Sequence, residues 1–462
     1  MLFGIGLQKG DGGLATWSYD ELLEKNRRFL WNPFTQMKGY LEDEPLIIER
    51  GEGVKLYDVR GRAYYDGNAS VWLNVHGHGH PKLNAAIREQ LDQVAHSTLL
   101  GMSNVPALLL AEKLVQLTPE RLQKVFYSDS GAEAVEIGLK MAYQYWKLRG
   151  RPEKQVFISM KNAYHGDTVG AVSVGGMDTF HATFSGMLFP TLKVSYPYPY
   201  RFDGSPEACR QACLDELACV LAEHGDKVAG LIVEPMVQGA GGMIIMPPGT
   251  LAEIEKFCRA HEVLLLIDEV ATGFGRTGRM FACEHEAVQP DIMMVGKKLT
   301  GGYLPVAATL TSDEVYDAFY GEHHEGKTFY HGHSYTGNQL GCAVALANLA
   351  LYEEERVLEH VAKASQLLAE WLEPMKDLPH VGEVRQLGLM VGIELVKDKV
   401  TKEPHPWEEA IGARVCRRAR ELGLITRPLD HVVTFMPPLA TPFADLQAMV
   451  GILEQAIREG TA

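Results

Sequence analysis

The chain has 462 residues, with 44 basic and 59 acidic side chains and a formal net charge of −15 at pH 7. Its length suits about three units of roughly 150 residues, or one large domain with an appendage, and its 46% hydrophobic content is typical of a globular protein. The acidic residues are spread along the chain, which disfavours binding to nucleic acids or acidic membranes because both attract clustered lysine and arginine. The sequence has no apolar run of about 18 residues and no signal-peptide pattern at its start, so we expect a cytoplasmic protein without a membrane partner.

The seven cysteines predict neither disulfides nor a metal site. They form an odd set without a CxxC pair, which fits neither a disulfide framework nor a zinc ribbon. Cys209 and Cys213 have the i,i+4 spacing of one helix face and would supply half of a metal site, but no nearby histidine or cysteine completes it. We therefore expect small core residues and no bound metal.

Short apolar runs alternate with longer amphipathic stretches through the middle of the chain. The predicted strands are residues 125–128, 155–160, 231–236, 264–270, 292–297 and 304–310. Between them, residues 131–150 and 250–261 have the period of helices. Alternating strands and helices are typical of βαβ units, and continuously apolar runs indicate burial on both faces. The pattern predicts an α/β fold with a large, mostly parallel sheet between helices.

The two chain ends differ from this middle. After about residue 338 the pattern changes to long helices and a few strands, and before about residue 76 it indicates small strands joined by Gly and Asp turns. We therefore expect a smaller α+β domain built from both ends. The predicted division is a flexible segment at 1–20, an N-terminal part of the small domain at 21–75, a large domain at 76–337, and a linking helix with the C-terminal small domain at 338–462.

Two charged residues follow successive apolar runs. Asp268 ends LLLID, and Lys297 follows IMMVG and precedes a Gly-rich turn. Ligands bind at the carboxyl ends of such strands, so a buried Asp268 there needs a cation or a positively charged ligand group, unless it is only a turn or cap residue. The lysine would bind phosphate or form a Schiff base. Because strand side chains alternate, we choose Lys297 and expect Lys298 to be solvated.

Two further segments suit a phosphorylated, planar ligand. In YSDSGAEAVE a strand leads through Ser130 into a helix that begins near Gly131, and free N–H groups at a helix start bind anions. An ordinary helix cap has the same sequence pattern. In KNAYHGDT, Tyr164 and His165 follow a predicted strand and suit stacking on a flat ring. Together with Asp268 and Lys297, these features meet the needs of pyridoxal 5′-phosphate (PLP).

The sequence also resembles the class III aminotransferases of PLP fold type I, from about Trp31 to near the C-terminus. The resemblance rests on the motifs WNPFTQM, SVWLNVHGHGHP, AHSTLLGMSNVPA, YSDSGAEAVE, YHGDTVGAVSVGGMD, EPMVQGAGGM, DEVATGFGRTG, GKKLTGGYLP and HGHSYTGNQLGCA. It implies a large PLP-binding domain and a homodimer with active sites at the interface.

The resemblance also implies roles for individual residues. Lys297 corresponds to the lysine that holds the cofactor, Asp268 to the partner of the ring nitrogen, and Tyr164 to the aromatic residue that stacks on the ring and lies at the reacting centre. The implied phosphate-binding residues are Ser130, Gly131 and Ala132, with His333 and Ser334 reaching the phosphate of the neighbouring subunit. The implied substrate-binding residues are Phe34, Trp72, Tyr164, Lys297, Gly332 and Arg427, the arginine as partner of a keto-acid carboxylate.

Within the family, the motifs are most similar to those of members that convert 7-keto-8-aminopelargonate to 7,8-diaminopelargonate in biotin biosynthesis. The expected amino donor is lysine or S-adenosylmethionine. Users of S-adenosylmethionine tend to carry tyrosine at the position of Phe34, so this departure favours lysine. A second departure, Lys298, is expected to change only solvent-side charge. The alternative function is that of another ω-aminotransferase acting on a diamine or an ω-amino acid.

The segment HGHGH at 76–80 favours a different class of protein, a metal-dependent hydrolase. Its alternating histidines would share one face of a strand, but the intervening glycines and Pro81 indicate a turn that enters a helix instead. A binding or structural protein without PLP is the remaining alternative. That reading leaves Lys297 and Asp268 at adjacent strand ends unexplained.

Overall fold

The computed structural model describes residues 17–462. Its helices are α1 (Tyr19–Phe29), α2 (Met37–Glu42), α3 (Ala69–Trp72), α4 (Pro81–Gln93), α5 (Val105–Leu117), α6 (Gly131–Leu148), α7 (Val169–Val174), α8 (Asp178–His181), α9 (Pro206–His224), α10 (Thr250–Ala260), α11 (Asp313–Phe319), α12 (Gln339–Glu354), α13 (Val357–Leu372), α14 (Ile411–Glu421) and α15 (Phe443–Gly460). Most of the predicted flexible segment at 1–20 lies outside the described residues, and Tyr19 already opens α1.

The strands form one large sheet and three small ones. They are β1 (Ile48–Glu52), β2 (Lys55–Asp58), β3 (Ala63–Asp66), β4 (Leu122–Ser128), β5 (Val156–Met160), β6 (Leu192–Val194), β7 (Val228–Val233), β8 (Val237–Gln238), β9 (Ile244–Ile245), β10 (Leu264–Asp268), β11 (Ile292–Val295), β12 (Ala307–Ser312), β13 (Val381–Leu387), β14 (Met390–Leu395), β15 (Leu424–Ile425), β16 (Arg427–Leu429) and β17 (Val432–Phe435).

The large sheet has seven strands in the order β4-β12-β11-β10-β7-β5-β6. All its pairings are parallel except those of β12, which runs antiparallel to both β11 and β4. The predicted mostly parallel sheet is therefore confirmed, and each of the six predicted strands belongs to it. The seventh strand, β6, has only three residues, too few for an apolar pattern to indicate it.

Both faces of this sheet are covered, as the continuously apolar runs predict. Along β10, Leu265 and Ile267 pack into one hydrophobic cluster, to which α5, α9 and α10 contribute, while Leu266 packs into a second one with α6. The alternation is that of a strand whose successive side chains point to opposite faces. The large domain is thus a three-layer α/β structure, with the sheet between helices.

Two four-stranded sheets come from the chain ends. One has the order β1-β2-β3-β15 and the other β13-β14-β17-β16. In the first, β15 pairs parallel with β3, so that Ile425 lies opposite Asp66. This pairing confirms a smaller α+β part built from both ends of the chain, while the boundaries at residues 76 and 338 stay predictions. None of the helices within residues 17–462 is long and apolar enough to cross a membrane.

Candidate active site

A cavity of about 730 Å³ lies at the carboxyl ends of the large sheet's parallel strands. Strands β10 and β11 are parallel neighbours, so the end of β10 at Asp268 and the turn after β11 share one edge of the sheet. Eight of the residues singled out from the sequence line this cavity: Trp72, Ser130, Gly131, Ala132, Tyr164, His165, Asp268 and Lys297. Segments more than 200 residues apart in the chain therefore meet in one site.

Asp268 is buried at the cavity floor and is held on both of its oxygens. His165 lies 2.7 Å away from Nδ1 to Oδ2, and the backbone N–H of Val270 donates to Oδ1 at 3.0 Å. Each carboxylate oxygen can accept a second hydrogen bond, so Asp268 remains able to meet a positively charged ligand group. The sequence pattern suggested that His165 stacks on a flat ring, whereas the structure turns its imidazole towards Asp268.

Lys297 opens a short 3₁₀ turn, Lys297–Thr300, directly after β11. Its backbone is left-handed, with φ of 45°, and its Nζ lies 5.4 Å from the centroid of the Trp72 ring. Burial lowers the pKa of Lys297, while Asp268 and Glu234 act in the opposite direction. Within residues 17–462, Nζ has no hydrogen-bond or ion-pair partner. A lowered pKa increases the fraction of neutral amine, which is the nucleophilic form.

The expectation that Lys298 is solvated is wrong. Its side chain is completely buried, and Nζ donates to the carbonyl oxygen of Ala271 at 2.8 Å. Burial lowers the pKa of Lys298 well below its usual value, and the nearby cations of Arg276 and Lys297 act in the same direction. The alternation of strand side chains failed here because β11 ends at Val295 and the two lysines belong to a 3₁₀ turn.

The start of α6 combines a helix cap with unpaired backbone donors. Ser130 and Glu133 form a capping box, in which the Ser130 side chain accepts from Glu133 N and the Glu133 side chain accepts from Ser130 N. The N–H groups of Gly131 and Ala132 have no acceptor in the described part of the chain. A Cβ at position 131 would lie 2.6 Å from Val270 Cγ1, so only glycine fits there. Both interpretations of this segment therefore hold. The Ser130 and Glu133 side chains form an ordinary helix cap, and the N–H groups of Gly131 and Ala132 are available to an anion.

Tyr164 links the cavity to a cluster of aromatic side chains at its mouth. Its ring lies 6.5 Å from that of Phe34, at an interplanar angle of 71°. The guanidinium of Arg427, the first residue of β16, lies 5.7 Å from the Phe34 ring centroid. Phe34 and Arg427 do not line the cavity itself, but this chain of contacts places both beside Tyr164.

Sequence reasoning missed two carboxylates that line the cavity, Asp167 and Glu234. The Tyr164 hydroxyl donates to Asp167 Oδ2 at 2.7 Å, and both burial and this hydrogen bond raise the pKa of Tyr164. Glu234 accepts from the backbone N–H groups of Tyr164 and Gly239, and burial raises its pKa to about 7. The sequence does contain indications of both carboxylates, since Asp167 lies in the same segment YHGD as Tyr164 and Glu234 directly follows the apolar strand β7.

Trp72 enters the cavity from a left-handed turn. All four residues of α3 have positive φ: Ala69 (43°), Ser70 (49°), Val71 (66°) and Trp72 (72°). A left-handed conformation costs an L-residue other than glycine roughly 1–2 kcal/mol, and for β-branched valine it is a clear outlier. Trp72 is nevertheless buried, and its indole N–H donates to Asn68 Oδ1 at 3.0 Å.

The structure places Gly332, His333 and Ser334 in a second, larger cavity of about 1150 Å³ rather than in the first. Helix α5 and the preceding segment form its apolar side, where Leu100 and Leu108 are exposed. His333 Nδ1 lies 3.5 Å from Asp129 Oδ2, next to the start of α6 in the same chain.

The histidines of HGHGH do not converge on one point. His76 and His80 both contact Glu355, at 3.0 and 3.2 Å, whereas His78 contacts Asp66 at 3.0 Å. Helix α4 begins at Pro81, directly after His80, as the turn interpretation predicts.

Comparison with known proteins identifies the family. The chain matches the model for aminotransferase class-III over residues 39–457. It belongs to this family. It is 55% identical to the adenosylmethionine-8-amino-7-oxononanoate aminotransferase of Anoxybacillus flavithermus, over 98% of this chain and 99% of that protein. The crystal structure of the equally named protein from Methanocaldococcus jannaschii has a TM-score of 0.91 and 47% identity, covering 96% of this chain and 99% of its own.

A further similar structure carries the cofactor in its aminated form. The omega transaminase from Pseudomonas jessenii in complex with PMP has a TM-score of 0.92 and 36% identity, and the match covers 95% of this chain and 98% of that one. This chain is therefore a PLP-dependent aminotransferase, as predicted. Its cavity fits the group, since it offers a carboxylate at Asp268, an amine at Lys297 and N–H groups at Gly131 and Ala132, and the amine and the N–H groups have no partner among residues 17–462.

Proposed function

We propose that this aminotransferase converts 7-keto-8-aminopelargonate (8-amino-7-oxononanoate) to 7,8-diaminopelargonate in biotin biosynthesis. The observation that carries the proposal is the set of relatives that are 47–55% identical over at least 95% of this chain and bear the name adenosylmethionine-8-amino-7-oxononanoate aminotransferase. Agreement over nearly the whole chain includes both ends, which supply Phe34, Trp72 and Arg427.

The roles proposed for the cavity residues follow from their chemistry. PLP carries the amino group between the two substrates and withdraws electrons from the bond that is broken. The Lys297 amine holds the cofactor and moves the proton at the reacting carbon, for which its lowered pKa is suited. The Asp268 carboxylate keeps the ring nitrogen protonated, and the N–H groups at the start of α6 bind the phosphate. Tyr164 stacks on the ring.

We assign recognition of the keto acid to the aromatic cluster and Arg427. The substrate is a mostly aliphatic chain that ends in a carboxylate, so it needs an apolar wall and a distant cation. Trp72 and Phe34 supply the wall. A guanidinium beside Phe34 can bind the carboxylate with two parallel hydrogen bonds.

The proposed amino donor is lysine or S-adenosylmethionine. Phe34 lacks the hydroxyl group that tyrosine would contribute, which favours lysine, whereas the names of the relatives favour S-adenosylmethionine. The test is to mix the PLP-loaded enzyme with each donor and to follow the absorbance of the cofactor, then to add the keto acid and detect the diamine by mass spectrometry. If neither donor changes the absorbance and no diamine forms, the proposed reaction is wrong.

A second candidate function is that of an ω-aminotransferase acting on a diamine or an ω-amino acid. The high structural similarity to the Pseudomonas jessenii omega transaminase favours it. The same absorbance assay with ornithine, 4-aminobutyrate and other amines separates the two candidates. Conversion of ornithine together with rejection of 7-keto-8-aminopelargonate would favour the second.

We also propose a homodimer in the cytoplasm. The exposed apolar surface around α5 suits a second copy of the chain, and Gly332, His333 and Ser334 lie beside it, where they would complete the phosphate site of the neighbouring subunit. All seven cysteines are free, which suits a reducing compartment. Sedimentation of the active enzyme tests the dimer, and an active monomer would exclude it.

A further inference from the structure

The HGHGH segment and the left-handed turn of α3 meet at one buried residue, Asp66. Its carboxylate accepts three hydrogen bonds: from Ser70 N to Oδ1 at 3.0 Å, from Ser70 Oγ to Oδ2 at 2.8 Å, and from His78 Nε2 to Oδ2 at 3.0 Å. Only 1% of Asp66 is exposed. A buried carboxylate whose oxygens accept several hydrogen bonds is held in one orientation.

Asp66 is itself fixed by the sheet. It is the last residue of β3, its backbone N–H donates to the carbonyl oxygen of Val54 at 2.9 Å, and it lies opposite Ile425 of β15. His78 is fixed separately, because its backbone exchanges two hydrogen bonds with Gly53, at 3.1 and 2.7 Å. The carboxylate therefore connects a rigid strand end to the turn that carries Trp72.

The hydrogen bonds of His78 determine its tautomer. Nε2 carries the proton that is donated to Asp66, and Nδ1 faces the side-chain amide of Asn74 at 3.4 Å. Asn74 in turn accepts from Gly77 N at 2.7 Å. The glycines of HGHGH thus place His78 at Asp66, which explains a motif that the cofactor chemistry leaves unused.

We propose that Asp66 is a positioning residue, which holds α3 in its left-handed conformation and thereby sets the Trp72 ring as the wall of the substrate cavity. None of the residues at 69–72 is glycine, so the sequence of the turn does not itself favour positive φ. The two hydrogen bonds from Ser70 to the Asp66 carboxylate stabilise the positive φ angles that the sequence of the turn does not favour. The ring that results lies over Lys297 Nζ, and a Cβ at Gly239 would be 3.3 Å from Trp72 Cζ3. The proposal rests on the function proposed above, in which Trp72 contacts the substrate.

The test compares Asp66→Ala with the near-isosteric Asp66→Asn. The alanine variant loses all three hydrogen bonds, and we expect the KM for the keto acid to rise about tenfold or more with kcat changed less than about threefold. The amide can still accept from Ser70 N and can bond the other tautomer of His78. The asparagine variant should therefore stay within about threefold of wild type in KM.

A double-mutant cycle with Trp72→Phe separates positioning from general damage. If Asp66 acts through the Trp72 ring, Asp66→Ala should add less than about twofold to the KM effect of Trp72→Phe. Fully additive effects would overturn the proposal. Adding Val71→Gly to Asp66→Ala should recover part of the lost KM, because glycine adopts positive φ without strain.

Hydrogen exchange gives a readout that needs neither cofactor nor substrate. In Asp66→Ala, amide exchange in peptides covering residues 68–74 should accelerate relative to wild type, while peptides from the large sheet stay protected. Unchanged exchange at 68–74 would overturn the proposal. If wild type rejects the keto acid, the proposed function fails, and the Asp66 series is then measured with whichever amine wild type converts.

Discussion

The proposed active site has a cofactor side, with Asp268 and Lys297, and a substrate side, with Phe34, Trp72 and Arg427, and the chain supports the two differently. Asp268 ends β10 and Lys297 follows β11, two neighbouring strands near the centre of the seven-stranded sheet, and every residue of these two strands is buried. Phe34, Trp72 and Arg427 come from short segments near the chain ends, and the first two have positive φ. The cofactor side is thus held by the packed centre of the large sheet, whereas on the substrate side Trp72 packs into the core and Phe34 is exposed.

This difference suggests that the residues for the shared chemistry and the residues for substrate specificity lie on separate parts of the fold. Groups that serve every reaction of the family are attached to structure that tolerates little change, because a shift of a central strand disturbs packing on both faces. Of the groups that we assign to substrate selection, Phe34 and Arg427 lie on segments outside the core, where one side chain can change with little effect on packing. Substitutions on the cofactor side should therefore abolish chemistry, and substitutions on the substrate side should change KM.

The largest effect is expected for Lys297→Ala. Loss of the amine should lower turnover by about 10⁴-fold or more, because the variant lacks the group to which we assign both the hold on the cofactor and the proton transfer. The melting temperature should not fall, since Nζ makes no hydrogen bond or ion pair in the described part of the chain. Reducing the loaded wild-type enzyme with borohydride and mapping the labelled peptide gives the direct check. A label on Lys298 would contradict the assignment.

The next largest effect is expected for Asp268→Asn. A neutral amide cannot keep the ring nitrogen protonated, so kcat should fall by about 10²-fold or more while some cofactor still binds. Absorbance measures the bound cofactor, and single-turnover kinetics measure the rate. Turnover close to that of wild type would show that the chemistry does not depend on the Asp268 carboxylate.

Arg427→Ala probes the substrate side. Loss of a charge-assisted hydrogen-bonding partner, worth about 1.5–3 kcal/mol, should raise the KM for the keto acid about 10- to 150-fold. The half-reaction with the amino donor should change much less. Arg427→Lys is the matched control, because it keeps the charge without the planar fork. Equal damage to both half-reactions would mean that the arginine is not specific for the keto acid.

The smallest effect concerns the β16–β17 hairpin, which carries Arg427. His431 in its turn lies 3.0 Å from Asp430 and 3.5 Å from Glu394, and hydrogen bonds to these carboxylates raise the pKa of His431 to about 9. A raised pKa in the folded state contributes stability that is complete below the ordinary value of about 6.5 and is lost as pH rises through about 9.

The difference in melting temperature between wild type and His431→Gln should therefore shrink between pH 6.5 and pH 9.5. Thermal melts of both proteins across this range measure it. Glu394 also accepts hydrogen bonds from Arg385, Arg201 and Tyr198, so it stays ionised throughout. A pH-independent difference would exclude protonated His431 as a support of the hairpin.

Sequence patterns predicted the positions of the residues on the cofactor side well because each pattern depends only on residues that are neighbours in the chain. A continuously apolar run that ends in a charged residue indicates a buried strand end, and this placed Asp268 and Lys297 at one edge of the sheet. The rule fails one residue later, at Lys298, because it assumes a strand where the backbone has already become a 3₁₀ turn. The roles of the cavity residues stay predictions.

The substrate side was less predictable because it depends on contacts between distant segments. Resemblance placed Trp72 and Arg427, but the left-handed turn at α3 contains no glycine that would indicate it, and the Asp66 carboxylate that accepts from Ser70 also accepts from His78, 12 residues later in the chain. His165 was found but given a different role, because its choice between a ring and Asp268 is decided by the position of β10.

The buried contact of Lys298 has a consequence for chemical selectivity. In an unfolded chain, the two lysines of GKKL would offer an aldehyde two nearly equivalent amines. In the fold, one amine lies in the cavity, and the other is bound to the carbonyl oxygen of Ala271, 27 residues earlier, out of reach of solvent. The protein thus gives adjacent, identical side chains different reactivities, so that only one member of the pair is available to react.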